Sequence, residues 1–132
     1  MIVTAQAGGD LLAASGVGSL VSTEVRSFEG PIVAPADVLE ILRAEFGISV
    51  LLHEGGPTLF GRFVADGCLD ELFLTLAPQL AGRNMQPLRP GLIAGVEFLP
   101  ETAPWLDIVS VKELGNCLYL RYRAAYGCGT AG

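Results

Sequence analysis

The residues best placed to do chemistry run from Ser49 to Phe60, in the order Ser-Val-Leu-Leu-His-Glu-Gly-Gly-Pro-Thr-Leu-Phe. A short apolar run ends in the carboxylate of Glu54, passes Gly55 and Gly56, and meets Pro57. Proline suits the first position of a helix, so the pattern predicts a strand–turn–helix junction. The first turn of such a helix has backbone N–H groups without intrahelical partners. With the helix dipole behind them, those donors favour an anion such as a phosphate. Two adjacent glycines let a ligand approach the backbone without meeting a Cβ. The junction reads as an anion or nucleotide seat with an acid beside it, against the plainer reading of Gly-Gly-Pro as an ordinary tight turn. Two better-known nucleotide fingerprints are absent. No Gly-x-x-x-x-Gly-Lys-Ser/Thr occurs, and Gly16-Val17-Gly18 stops short of Gly-x-Gly-x-x-Gly because position 21 is Val21.

The elements that must position this junction follow from hydrophobic periodicity. Ile2 to Gln6 reads as a short strand, and Leu11 to Ala14, after Gly8-Gly9-Asp10, as one helical turn. Ser19 to Phe28, with Val21, Thr23 and Val25 in loose alternation, reads as a second strand. Ala36 to Phe46 carries Val38, Leu39, Ile41, Leu42 and Phe46 on one stripe, which predicts a helix opened near Pro35 and stopped at Gly47. Ile48 to His53 is continuously apolar and predicts a central parallel strand covered on both faces. Thr58 to Ala65 predicts the next helix and Glu71 to Ala77 the next strand.

The last third changes character. Gly82 to Gly91 lacks periodicity and reads as a loop. Leu106 to Lys112 and Cys117 to Arg123 alternate around Glu113-Leu114-Gly115-Asn116, a hairpin pattern with Tyr119, Arg121 and Arg123 on one face. The order describes an α/β domain whose mixed sheet starts with parallel βαβ units and closes with antiparallel strands. One domain over residues 1–126 and a frayed tail over 127–132 are expected.

Composition narrows the function classes. The chain has 132 residues, 51% apolar and 17% charged, enough for a folded core. Its formal charge of −6, with no Lys/Arg cluster, argues against nucleic-acid binding. No apolar run reaches the length of a membrane span, and Met1-Ile2-Val3-Thr4 has no basic leader region. Cys68, Cys117 and Cys128 lie far apart and His53 is the only histidine, so a metal site is not expected. Unpatterned thiols fit a reducing cytoplasm.

The stretch Glu54-Gly55-Gly56-Pro57-Thr58-Leu59, then Leu69-Asp70-Glu71-Leu72-Phe73-Leu74-Thr75-Leu76-Ala77-Pro78, then Leu80-Ala81-Gly82, resembles a known family. It is similar to the C-terminal reductase domain of the bifunctional deaminase–reductase of riboflavin biosynthesis. The likeness covers about Ile2 to Arg123 and is sharp between Leu51 and Gly82. It implies a dihydrofolate-reductase-like three-layer fold, a mixed and mostly parallel sheet flanked by helices with a C-terminal antiparallel hairpin. The activity it implies is NADPH-dependent hydride transfer to the open-chain ribose of a phosphoribosylamino-pyrimidine, of the 5-amino-6-(5-phosphoribosylamino)uracil reductase type. The cofactor carries the chemistry and the protein supplies position and charge.

On that resemblance Gly55, Gly56, Pro57, Thr58 and Leu59 hold the cofactor phosphates, with Phe60, Gly61 and Arg62 as neighbours. Glu54 falls on the family's substrate-contacting acid, and Thr4, at the end of the first strand, lines the cofactor groove. No catalytic residue is assigned. His53 is expected to pack rather than act as a general acid, because strand alternation turns it from the face of Glu54. Asp70 and Glu71 read as a solvated turn, and Trp105 as a loop anchor. A 2′-phosphate clamp is not evident, with Arg62 and Arg83 as candidates. A cytoplasmic homodimer acting on a small molecule, off the membrane, is implied.

Members of the family begin with a strand carrying a Lys-x-Ala-x-Ser-x-Asp-Gly type motif, followed by a stretch with arginine and Asp-x-Pro residues. Neither occurs here, so the sequence reads as a reductase domain without its N-terminal part, and supports cofactor binding better than turnover. Two alternatives remain beside the pyrimidine reductase. One is a dihydropterin or dihydrofolate-type reductase; the other is a non-catalytic nucleotide-binding module that keeps the fold.

Overall fold

The computed structural model describes residues 2–16, 24–80, 82 and 91–125. The chain divides into two compact units, Met1–Leu51 and Leu52–Gly132.

In the first unit, strand β1 (Ile2–Ala5) runs directly into helix α1 (Gln6–Ser15), which returns the chain to strand β2 (Val25–Phe28). The two strands are parallel, in register from Ile2 opposite Val25 to Ala5 opposite Phe28. Helix α1 is longer than the single turn expected at Leu11 to Ala14. Its first turn is supported by the Gln6 side-chain amide, which donates to Asp10 Oδ1 at 2.9 Å, one helical turn on. Gly8 and Gly9 let this helix lie close on the strands. A Cβ at Gly8 would run into Thr4 Oγ1, and one at Gly9 would stand 3.0 Å from the Ser27 Cβ. Of the strand expected from Ser19 to Phe28, Val25–Phe28 forms β2, and residues 19–23 lie outside the described ones.

Helix α2 (Pro35–Phe46) matches its sequence signals at both ends. Pro35 sits in the first turn with Asp37, and Gly47 closes the helix at φ 64°, a left-handed conformation that favours glycine. The Gly47 N–H donates to the Arg43 carbonyl, and the Ile48 N–H to that of Leu42. Arg26 joins β2 to the end of this helix through Glu45 at 2.7 Å, and also meets Glu24 at 2.6 Å. These pairs are exposed, so they add direction more than stability.

The second unit holds helix α3 (Pro57–Ala65) and strands β3 (Glu71–Leu76), β4 (Leu106–Leu114) and β5 (Cys117–Ala124). The strands form an antiparallel sheet in the order β3-β5-β4. The expected hairpin is present, with Leu114 opposite Cys117 across Gly115-Asn116. Gly115 stands at φ 61° and no described residue other than glycine has positive φ, the pattern of a turn with glycine at its first central position. Register shifts between Ile108 and Ser110, a bulge in β4.

Glu71, Phe73 and Thr75 stand opposite Arg123, Arg121 and Tyr119. Arg121 donates from Nε to Glu71 Oε2 at 2.9 Å and from Nη2 to Oε1 at 2.7 Å. Its guanidinium also lies 5.6 Å from the centre of the Phe73 ring, within cation–π range. Glu71 is therefore a strand residue in a two-point ion pair, which corrects its reading as part of a solvated turn. Hydrogen bonding and charge from Arg121, helped by Arg123, hold its carboxyl below the usual range, against a smaller opposing effect of desolvation.

Apart from Pro35 in α2, the buried residues among those described gather about α3. Phe63, Val64 and Cys68 are the buried apolar side chains among the described residues, and Gly61 is buried with them. At Gly61 the helix meets another stretch of backbone, since a Cβ there would stand 2.8 Å from the Ala94 carbonyl oxygen. The turn after α3 is tied back by the Cys68 N–H, which donates to Phe63 at 2.8 Å.

Two expectations are corrected. Ile48 to His53 is not a strand; residues 47–56 have no regular secondary structure. Apolar β-forming residues supply propensity, but an extended segment becomes a strand through a hydrogen-bonded neighbour. No described strand pairs with this run, and Val50 and Leu52 stay 84% and 74% exposed. Trp105 is 85% exposed, so it does not anchor its loop by burial. The loop expected over 82–91, apart from its two end residues, and the tail over 127–132 lie outside the described residues.

Gly61→Ala is expected to destabilise the protein by about 1–3 kcal/mol, because the new methyl group must push α3 off the Ala94 backbone. Thermal unfolding followed by circular dichroism reads this directly. Glu71 should contribute stability at pH above the ordinary carboxylate value of about 4.3, and lose it as pH falls through its lowered folded value. Unfolding curves of the parent and Glu71→Gln should therefore differ at neutral pH and draw together in acid. Parallel curves at every pH would remove this pair from the acid response.

Candidate functional site

The local sequence leaves the start of α3 open. Gly56 precedes the helix in extended conformation (φ −68°, ψ 169°) and carries no side chain to cap it. Pro57 has no N–H, and the first helical bond runs from the Phe60 N–H to the Gly56 carbonyl at 3.0 Å. The N–H groups of Thr58 and Leu59 therefore have no acceptor within the helix. The first turn holds no acidic residue to compete for them. Glu54, Gly55, Gly56, Thr58 and Leu59 are exposed, and nothing stands within 4 Å of a Cβ built on Gly56. Backbone donors, helix dipole and clear space together make a seat for a phosphate-like anion.

A second segment braces this turn. The Ala94 N–H donates to the Pro57 carbonyl at 3.1 Å, and Gly95 lies against the Thr58 methyl group. The sequence reading missed the brace. Its one legible trace is Gly61, since a glycine inside a helix is costly and often marks a close packing contact.

His53 packs, as expected, although no strand turns it inward. Its ring lies 4.8 Å from that of Phe63 and 6.1 Å from that of Phe60, centroid to centroid. The Nε2 atom is buried with no hydrogen-bond partner. Gly55 packs against this ring edge, where a Cβ would stand 2.8 Å from Nε2. Glu54 points its chemistry elsewhere: it is exposed and makes no ion pair among the described residues. An exposed carboxylate two residues before Gly56 is free to accept hydrogen bonds from hydroxyl or amino groups of a ligand.

The structure brings Glu54, Gly55, Gly56, Pro57, Thr58, Leu59 and Phe60 into one continuous junction. Thr4 belongs to the first unit, half-buried near the end of β1 and against Gly8 of α1. Arg62 lies in the last turn of α3 rather than beside the first-turn donors, and Arg83 lies outside the described residues. Among the described residues no group of His, Cys, Asp and Glu side chains has the spacing of a metal site. No described helix is long and apolar enough to cross a membrane. A shallow cleft at the far end of α3, lined by Val64, Ala65, Gly67, Phe98, Thr102 and Pro104, offers no titratable side chain.

Comparison with known proteins agrees with the resemblance carried by the junction. The riboflavin biosynthesis protein RibD of Bacillus amyloliquefaciens is 40% identical over 80 residues, which is 60% of this chain and 20% of that protein. Two solved structures of Acinetobacter baumannii RibD, forms 1 and 2, each superpose with a TM-score of 0.61 at 21% identity. Each covers 75% of this chain and 27% of the other, and at that identity the likeness speaks for the fold. The chain thus spans about a fifth of the curated relative and about a quarter of the solved chains. The dihydrofolate-reductase-like α/β fold expected from the sequence is the one these neighbours share. A model of the RibD C-terminal domain matches residues 10–119, across both compact units. This chain belongs to the RibD C-terminal domain family.

Proposed function

We propose that the chain binds NADPH and serves the reductase step of riboflavin biosynthesis, the reduction of a phosphoribosylamino-pyrimidine. The observation that carries this reading is the open start of α3, with N–H groups at Thr58 and Leu59 that have no acceptor within the helix and clear space over Gly56. These residues fit the group. A dinucleotide brings phosphates, and a helix start without side-chain cap or acid is suited to receive them. When bound, the cofactor supplies the hydride.

The remaining work falls to the chain's own residues. The Thr58 and Leu59 N–H groups orient the phosphates, and Thr58 Oγ1 adds one side-chain bond. Gly55 and Gly56 form the turn beside them, and the open space over Gly56 allows the close approach that a side chain would block. Glu54 accepts hydrogen bonds from hydroxyl or amino groups of the substrate, which holds the ribose in position. Thr4, near the end of β1, is the further cofactor-contacting residue of this reading. Positioning of this kind is how a protein accelerates a reaction whose chemistry the cofactor carries.

The same reading places the protein in the cytoplasm, in keeping with cysteines that follow no disulfide pattern in the sequence. It also includes a homodimer, since β3 and β4 are the outer strands of their sheet among the described residues, and an outer strand tends to pair. A single domain over residues 1–126 is part of it, and the family model runs across both units.

Calorimetric titration with NADPH, with NADH beside it, tests the reading. Saturable binding that favours NADPH is expected. Gly56→Asp, which adds bulk and negative charge at the phosphate seat, should abolish it while circular dichroism stays unchanged. Absence of binding by a folded sample would remove the cofactor assignment. Equal affinity in Gly56→Asp and the parent would remove Gly56 from the site.

A further inference from the structure

We propose that His53 is a positioning residue for the cofactor loop, setting by its shape the path of Gly55 and hence the aim of the α3 donors. The inference rests on the NADPH reading and goes beyond it, since His53 need not touch the ligand.

Three observations carry it. The His53 ring is held between Phe63 and Phe60 at centroid distances of 4.8 and 6.1 Å, so helix α3 itself fixes its place. Its Nε2 atom is buried without a hydrogen-bond partner, so packing, rather than a polar contact, defines its position. Its edge then fills the space beside Gly55, where a Cβ would stand 2.8 Å from Nε2, 3.0 Å from Cε1 and 3.0 Å from Leu59 Cδ2. Ring and glycine form a matched pair. By contrast Gly56, the next residue, has open space around it and is left clear for the ligand. The two glycines thus have different duties: Gly55 faces the protein, and Gly56 faces the anion.

Contacting residues whose roles depend on each other give non-additive substitutions, and the non-additivity should appear in ligand affinity. NADPH titrations of the parent, Gly55→Ala, His53→Ala and the double variant test this, each with a thermal melt. Gly55→Ala alone should weaken NADPH binding about 10-fold or more, as its methyl group drives the loop from the ring. In the His53→Ala background the same change should cost less than about 3-fold, because the ring contact is then gone and only the flexible end of Leu59 has to give way.

Equal effects of Gly55→Ala in both backgrounds would overturn the proposal. So would coupling confined to the melting temperature with NADPH affinity unmoved, which would make the contact a packing detail. Failure of the folded parent to bind NADPH is a separate result. It overturns the functional reading, and this assignment with it.

Discussion

Everything proposed for this chain depends on where helix α3 begins and how firmly it is held. Its first turn must present bare N–H groups to solvent, while its middle must be buried against the rest of its unit. The sequence meets both demands within Pro57–Ala65. Gly56 and Pro57 leave the start uncapped, and Gly61, Phe63 and Val64 bury the opposite side. Backbone-to-backbone approach at Gly61 is the tightest of these constraints, because the Ala94 carbonyl lies where a side chain would begin. A helix held at that distance cannot drift, and neither can the donors at its start.

The sheet of the same unit is stabilised differently. Strand β5 is central, bonded to β3 on one side and β4 on the other, so its alternating side chains are shared by both neighbours. Arg121 takes part in a two-point ion pair with Glu71 and lies over Phe73, combining directional hydrogen bonds with apolar cover for its guanidinium. Such geometry specifies register more than it adds energy, as a slip by one residue would separate the pair. Asp70 contributes through its backbone, accepting the Ala124 N–H at 2.8 Å and extending the ladder at its end. The acidic pair at the start of β3 is thereby a register device.

A site built mainly from backbone groups has a consequence for reading function. In the proposed site Thr58 and Leu59 would act through N–H groups that every residue but proline possesses, so side-chain identity there carries little information. The glycines and the proline carry more, because they record what must be absent: a Cβ, a cap, an N–H. Glu54 is the one charged side chain of the junction, and its exposure leaves it available to a ligand. On the proposed reading, the chemistry of such a site is selection and orientation of a charged cofactor, with reactivity brought by the cofactor itself.

The sequence alone determined the local features. Helix α2 is bounded by Pro35 and Gly47, the hairpin turns at Gly115-Asn116, and α3 starts at Pro57, because caps and turns depend on residues within a few positions of each other. It likewise determined the family, since the stretch Glu54 to Gly82 carries the resemblance and the family model matches residues 10–119. What lay beyond it was long-range. The run Ile48–His53 has the composition of a buried strand, yet strand formation depends on a partner ladder, which no local pattern encodes. The pairing of Glu71 with Arg121, fifty residues apart in sequence, follows from sheet register. The contacts of Gly55 with His53 and of Gly61 with Ala94 follow from packing. Tertiary structure decided these because close approach is a property of two segments at once, and a sequence presents them one at a time.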